Sequence, residues 1–268
     1  MVAYRATLDL PDELVSFVEN VIATRRSELR SPWRALTSFD QAVLTLVWLR
    51  DGDTFAQLGS HFGISTDTAW RYATEAMSAL SALAPSLTDA LREAGPARRM
   101  ILDGTLISTV RCATKPTHYD GENQDPYYSG KHHRPGVNVQ ALMGMDGEPA
   151  FVGEARCGST HDLSAARADG IVDAASAADV EVLADSGYQG AGGTVRTPAK
   201  RPKRLGHNGH QKRANAAHCA ERAPGERGFA LLKGWRVLRL VRISPSRITG
   251  LIKTVLVVTR KRSSLARA

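Results

Sequence analysis

Residues 100–109 read MILDGTLIST, and this run restricts the fold more than any other stretch of the chain. Its aliphatic and β-branched residues mark a buried strand. Asp103 nevertheless stands in the middle of it. A carboxylate on an apolar strand is costly unless a positive group pairs with it. The strand must therefore lie in a sheet where other groups converge on Asp103. Arg98 or Arg134 could supply the charge, and so could a metal ion.

The texture differs on the two sides of this run. Before it, residues 11–29, 40–49, 54–61 and 66–83 carry helical spacing, and a further short helix falls within 84–98. After it, VNVQALM (137–143) and PAFVGEARC (149–157) read as two strands joined by a hairpin at Asp146-Gly147. Residues 161–177 read as a helix, VEVLAD (180–185) as a buried strand, and 191–213 as basic and irregular. A helix then runs to Lys233, WRVLRLV (235–241) reads as a strand, and 246–260 as a last helix. The pattern predicts an all-helical domain over 1–95 and a mixed α+β or α/β domain over 96–268.

Lys and Arg number 35 against 27 Asp and Glu, a net charge of +8, which suits a polyanionic partner such as nucleic acid. Cys112, Cys157 and Cys219 have no C-x-x-C spacing, which argues against a disulfide framework and against structural zinc. No basic-then-apolar leader opens the sequence and no apolar run is long enough to span a bilayer. The expected location is the cytoplasm, with no membrane partner.

TFAQLGSHFGISTDTAWRYATEAM, within about 54–80, has the spacing of a helix-turn-helix. Phe55, Ala56 and Leu58 would face inward, Gly63 would make the turn, and Ser65 or Thr66 would cap the second helix. Thr66, Asp67, Thr68, Trp70 and Arg71 would point outward, where a DNA reader enters the major groove. A compact helical hairpin that contacts protein shows the same pattern.

Two more acids join Asp103. Asp185 ends VEVLAD at the glycine turn SGYQG, and Glu226 lies in ERAPGERGFALLKGWRVL. Three carboxylates at one point ionise together only with cations present. Mg²⁺ is typically held by a few carboxylates plus substrate phosphate. Two such ions about 4 Å apart serve both the attacking and the leaving oxygen in phosphodiester cleavage. Each acid also has a structural reading: an arginine partner for Asp103, a turn for Asp185, a surface position for Glu226. Asp162, after His161, reads as a helix cap or a metal ligand. YYSGKHH (127–133) reads as a DNA grip or as a rigid loop, and 196–213 as a phosphate-contacting loop.

The motifs ILDGTLI, YYSGKHH, GVNVQAL, STHDLSAAR, LADSGYQG and RAPGERGFALLKGWRVLR, in that order, resemble bacterial insertion-sequence transposases of the DDE type, in the branch whose last motif is Y-R-E-K. LTSFDQAVLTLVWLRDGDTFAQLGSHFGISTDTAWRYATEAM is similar to the helix-turn-helix that precedes their catalytic domain. The resemblance covers about residues 4–262. It implies a ribonuclease H-like domain in which Asp103, Asp185 and Glu226 are catalytic and hold two Mg²⁺ ions, with Mn²⁺ able to substitute. It implies that Arg222, Lys233 and Lys131 contact DNA beside the acids, with Trp70 and Arg71 on the recognition helix. The partners it implies are double-stranded DNA, as element terminal repeats and target, and further copies of the chain on that DNA at the nucleoid. The reaction it implies is cleavage of the element's ends and joining of the 3′ ends to target DNA. The signature tyrosine falls at Cys219, and Pro224-Gly225 sits between Arg222 and Glu226, so that a helix either starts near Pro224 or is kinked there. Two alternatives stand beside it: a repurposed, non-catalytic DNA-binding protein, and a nuclease that cleaves without joining.

Overall fold

The computed structural model describes residues 8–30, 34–95, 98–110, 125–200 and 208–267. Cys112 and residues 201–207 of the basic stretch lie outside these. In chain order the elements are α1 Asp12–Leu29, α2 Ser38–Asp51, α3 Phe55–Phe62, α4 Thr66–Ser81, α5 Leu87–Arg92, β1 Arg99–Ser108, β2 Tyr128–Ser129, β3 Arg134–Met143, β4 Pro149–Val152 and β5 Arg156–Cys157. There follow α6 Asp162–Ala168, α7 Ile171–Ala177, β6 Glu181–Leu183, β7 Val195–Arg196, α8 Gly209–Arg222, α9 Pro224–Lys233 and α10 Ile248–Leu265. The chain forms two compact units. One holds the residues through Ala84, Leu232–Val241 and the segment from Ser246 on; the other holds Pro85–Leu231 and Arg242–Pro245.

The helical unit has sharply set helix ends. Thr54 and Gln57 form a reciprocal capping box at the start of α3, Gly63 ends it at φ 64°, and the Ser65 hydroxyl caps α4. Each device satisfies backbone groups that a helix terminus leaves open. Leu58, Gly59, Ala69, Tyr72 and Ala73 are buried, so the helix-turn-helix packs much as its spacing predicts. Ala56 is exposed rather than inward. The Tyr72 hydroxyl accepts from the backbone N–H groups of Ala35 and Leu36, and Gln41 donates to the Tyr72 carbonyl.

Two expectations change in this unit. The predicted boundary at 95 assigns every later residue to the second domain, yet α10 packs against α1 and α4. Ile252, Val255, Leu256 and Val258 are buried, and Thr254 donates to the Met77 carbonyl at 2.9 Å. The run WRVLRLV is not a strand. Trp235 leads into a 3-10 turn, Arg236–Leu238, and its indole donates to Thr259 Oγ1 at 2.8 Å. Short apolar runs fit a buried turn as well as a strand, so spacing does not separate them.

The second unit is built on a mixed sheet with strand order β2-β3-β1-β6-β7, and β4 and β5 both pair with β3. Central β1 is antiparallel to β3, with Asp103 opposite Ala141, and parallel to β6. Met100, Leu102, Leu142 and Val182 meet Ala166, Ile171 and Val172 in its core. PAFVGEARC divides into β4 and β5. The helix expected over 161–177 is broken between α6 and α7, where Gly170 takes φ 72°. Asp169, at that break, is drawn into an ion pair with Arg156. The stretch 191–213 is less irregular than predicted: it contains β7 and the first turn of α8.

Candidate active site

Asp103 lies in the middle of β1, opposite Ala141 of β3 and two residues beyond the last pairing with β6 at Ile101. Its Oδ1 accepts from the Gly104 N–H at 3.0 Å. Arg222, the last residue of α8, places Nη2 at 3.7 Å from the same oxygen, a loose pair by hydrogen-bond standards. Arg222 Nε is buried without a hydrogen-bond partner. Burial raises the Asp103 carboxyl above its ordinary range, and Asp185 and Asp162 push the same way. Arg222 and the Gly104 N–H oppose that shift without cancelling it.

Asp185 follows β6 by two residues, so the parallel pairing of β6 with β1 brings it to the same end of the sheet. Its carboxylate caps the turn Ser186–Tyr188 by accepting from the Gly187 N–H at 2.8 Å. The turn reading and the site reading of this residue therefore both hold. His218 of α8 hydrogen-bonds through Nε2 to the carbonyl of Ala184 at 2.8 Å, tying that helix to the strand end. Cys219, beside it, is exposed.

A further acid, Asp162, acts on the same carboxyl. His161 occupies the N-cap position of α6, which leaves the Asp162 side chain free for other partners. Its Oδ1 accepts from Asn138 Nδ2 at 2.8 Å, and Lys131 Nζ stands 3.3 Å from Oδ2. Gln140 extends the network: its Nε2 donates to Asn138 Oδ1, and its Oε1 accepts from the Tyr188 hydroxyl. Burial, reinforced by Asp162, Asp103 and Asp185, pushes the Tyr188 phenol far above its ordinary range and keeps it a donor. Burial disfavours the Lys131 ammonium, but the charges of the three aspartates, Asp162 foremost, outweigh that and raise it. Gly104 makes room for the network. A Cβ there would stand 2.7 Å from Asp162 Oδ1 and 3.0 Å from the Tyr188 hydroxyl. A cavity of about 430 Å³ opens alongside, lined by Gly104, Tyr128, Lys131, Asn138, His161 and Asp162 among others.

Glu226 lies at the surface in the first turn of its helix, as the structural reading of that residue had it. Pro224 opens a new helix, α9, because a proline is tolerated in a first turn but not in an interior. The packed face of α9 is its glycine face. A Cβ at Gly225 would stand 2.7 Å from Ile101 Cγ2, and one at Gly228 would collide with the Met143 sulfur. Glu226, about 100° around the helix from Gly225, is exposed. It is not among the main charges acting on Asp103. Among the described residues no three His, Cys, Asp or Glu side chains are grouped to hold one metal ion. The acids whose charges act on Asp103 are Asp185 and Asp162.

Of the expected DNA contacts, Lys131 and Arg222 stand at the acids. Trp70 and Arg71 are exposed on α4, and Lys233 closes α9 within the helical unit. The sequence offered little to single out Asn138, Gln140 and Tyr188. Their one signal was polarity inside the apolar runs VNVQALM and LADSGYQG.

A family model of DDE superfamily endonucleases matches residues 102–260. The chain belongs to that superfamily. The matched segment begins at the strand that carries Asp103. The helix-turn-helix model of DDE superfamily endonucleases matches residues 34–86, which cover α2–α4 and mark them as DNA-binding. A relative from Streptomyces albus G, named "Putative transposase for insertion sequence element IS112", is 28% identical over 213 residues, 79% of this chain and 75% of that protein. No solved structure matches the chain. DDE superfamily endonucleases generally use divalent metals. Asp103 and Asp185 fit such an ion: they offer only oxygen donors, and their mutual repulsion is what a cation relieves. Two carboxylates with substrate phosphate form the sparse donor set that Mg²⁺ accepts. No helix among the described residues is long and apolar enough to cross a membrane.

Proposed function

We propose that this protein is a DNA transposase that cleaves the ends of a mobile element and joins the freed 3′ ends to target DNA. The observation that carries this reading is the pairing of Asp103, on the central strand, with Asp185, at the end of its parallel neighbour. Three antiparallel strands followed by two parallel ones support a ribonuclease H-like topology. Asp103 and Asp185 would hold Mg²⁺, or Mn²⁺ in its place, as a pair of ions. When bound, the metal supplies Lewis-acid neutralisation of charge on the scissile phosphate. The chain's own residues do the rest. Backbone N–H groups of Gly104 and Gly187 orient the two carboxylates. Lys131 and Arg222 offer cations to the phosphates that flank the cut. Glu226 retains its place as the third acid by its position in the signature, with Lys233 as a DNA contact two turns further along α9. As an exposed residue, Glu226 would join the pair once DNA is bound. The active form would be an oligomer on DNA at the nucleoid.

The test is cleavage and strand transfer by the full chain with Mg²⁺ and duplex from the DNA flanking its gene. Asp103→Asn and Asp185→Asn are expected to lower cleavage at least about a hundredfold, a loss of some 3 kcal/mol in barrier terms. Full cleavage by both variants would overturn the assignment. A second reading, a repurposed DNA-binding protein, is favoured by the exposure of Glu226 alone. Specific binding without cleavage by the unaltered chain would select it.

A further inference from the structure

The recognition helix α4 carries an exposed tryptophan. Trp70 is 38% exposed, although a ring of that size is normally covered on one face. What lies on it is a cation from elsewhere in the sequence: the Arg247 guanidinium carbon stands 4.9 Å from the Trp70 ring centroid. Arg247 immediately precedes α10 and is itself exposed.

This contact is held by packing. Thr254, one of the buried polar residues, donates to the carbonyl of Met77. Both Trp70 to Met77 and Arg247 to Thr254 are seven-residue steps, about 10.5 Å along a helix. The two helices therefore run side by side in the same direction, in step over two turns. A Cβ at Gly250 would meet the Met77 methyl at an ordinary 3.9 Å, so the contact is close throughout.

A guanidinium over an aromatic face is attracted to the ring, which restrains it, and it keeps an N–H edge open. Such an edge suits a phosphate oxygen pair, bidentate and with little entropy left to lose. The exposed face of α4 otherwise offers Thr66, Asp67 and Arg71, with one cation and one anion among them. That is little charge for a helix that must hold a polyanion.

We propose that Arg247, stacked on Trp70, is a DNA-phosphate contact of the helix-turn-helix, so that the DNA-reading surface is built from two distant parts of the chain. The partner is the sugar-phosphate backbone of duplex DNA flanking the groove that α4 enters. This rests on α3–α4 being the DNA-reading element, and the two can fail separately. A phosphate contact carries no sequence information, so Arg247 contributes alike to any duplex.

The test is a titration of the full chain with a short duplex of arbitrary sequence and with duplex from the DNA flanking the gene, across a salt series. Arg247→Ala is expected to weaken both by roughly tenfold, the scale of one charge-assisted contact. It should also reduce the slope of log affinity against log salt by about 0.9. Arg247→Lys should recover the slope but only part of the affinity, since lysine keeps the charge and loses the planar stack. Trp70→Leu should cost affinity while leaving the slope nearly unchanged. If Arg71→Ala weakens binding and Arg247→Ala changes neither affinity nor slope, the proposal is overturned while the helix-turn-helix reading stands. If none of the variants at 70, 71 and 247 affects binding, both are overturned. A thermal melt of Arg247→Ala at the unaltered temperature excludes unfolding; a lowered melt with an unchanged slope also counts against the proposal.

Discussion

Asp103 is held where its charge is least welcome. Burial, Asp185 and Asp162 raise its carboxyl above the ordinary value, and Arg222 does not restore it. A raised folded pKa means that the native state binds more protons than the unfolded chain between the ordinary value and the raised one. Stability attributable to this group therefore falls as pH rises through that window. Its cost is fully present above the window and absent in acid. Asp103→Asn removes the charge, so it should melt higher than the unaltered chain near neutrality. That difference should shrink to nothing as pH drops below the ordinary aspartate range. Paired melts at pH 7 and pH 3 check this, and a variant less stable at pH 7 would mean that Arg222 depends on the carboxylate for its own burial. Stability surrendered at a site of chemistry is a common exchange.

The same local rules that made some elements legible in the sequence left others hidden. The helix-turn-helix could be read because its punctuation is local: Thr54 with Gln57, Gly63 and Ser65 each act within four residues. The break at Asp169-Gly170 was missed although Gly170, at φ 72°, is itself a local signal; the ion pair of Asp169 with Arg156 of β5 was not visible in the sequence. Asp103 was legible as an acid out of place, and Asp185 as an acid at a strand end. Asp162 was left between two roles because its true partners, Asn138 and Lys131, come from β3 and the turn before it. Glu226 was legible as a place in a signature, and a signature gives only spacing along the chain. Which face of α9 packs is decided by Gly225 and Gly228. Gly59 in α3 offers a test of packing against propensity. Alanine is the better helix former by about 1 kcal/mol. A Cβ at 59, however, would stand 2.8 Å from the Ile64 carbonyl oxygen and 3.2 Å from the Thr66 nitrogen. These are backbone atoms of the turn and cannot rotate aside, and overpacking costs about 1–3 kcal/mol. Gly59→Ala should therefore destabilise by about 1 kcal/mol in a thermal or urea melt, against the propensity scale.

The helical unit is closed by a segment that follows the whole of the sheet unit in sequence. Ile248, Leu251, Ile252, Val255, Leu256 and Val258 of α10 are all buried. Together they are worth roughly 10 kcal/mol of burial, about the whole stability of an ordinary domain. A chain ended after Pro245 should lose the cooperative melt of residues 12–81 and with it DNA affinity, as limited proteolysis and a binding titration would reveal. Retained affinity would mean that residues 1–95 fold alone. A chain leaves the ribosome from its N-terminus and folds in that order where it can. Here the recognition helix emerges early but lacks its brace until α10 appears. If the truncated chain fails to bind, a half-made polypeptide would likewise lack a finished DNA-binding surface. The order of the segments along the chain leaves the helix-turn-helix without this packing partner until the sheet unit has been made.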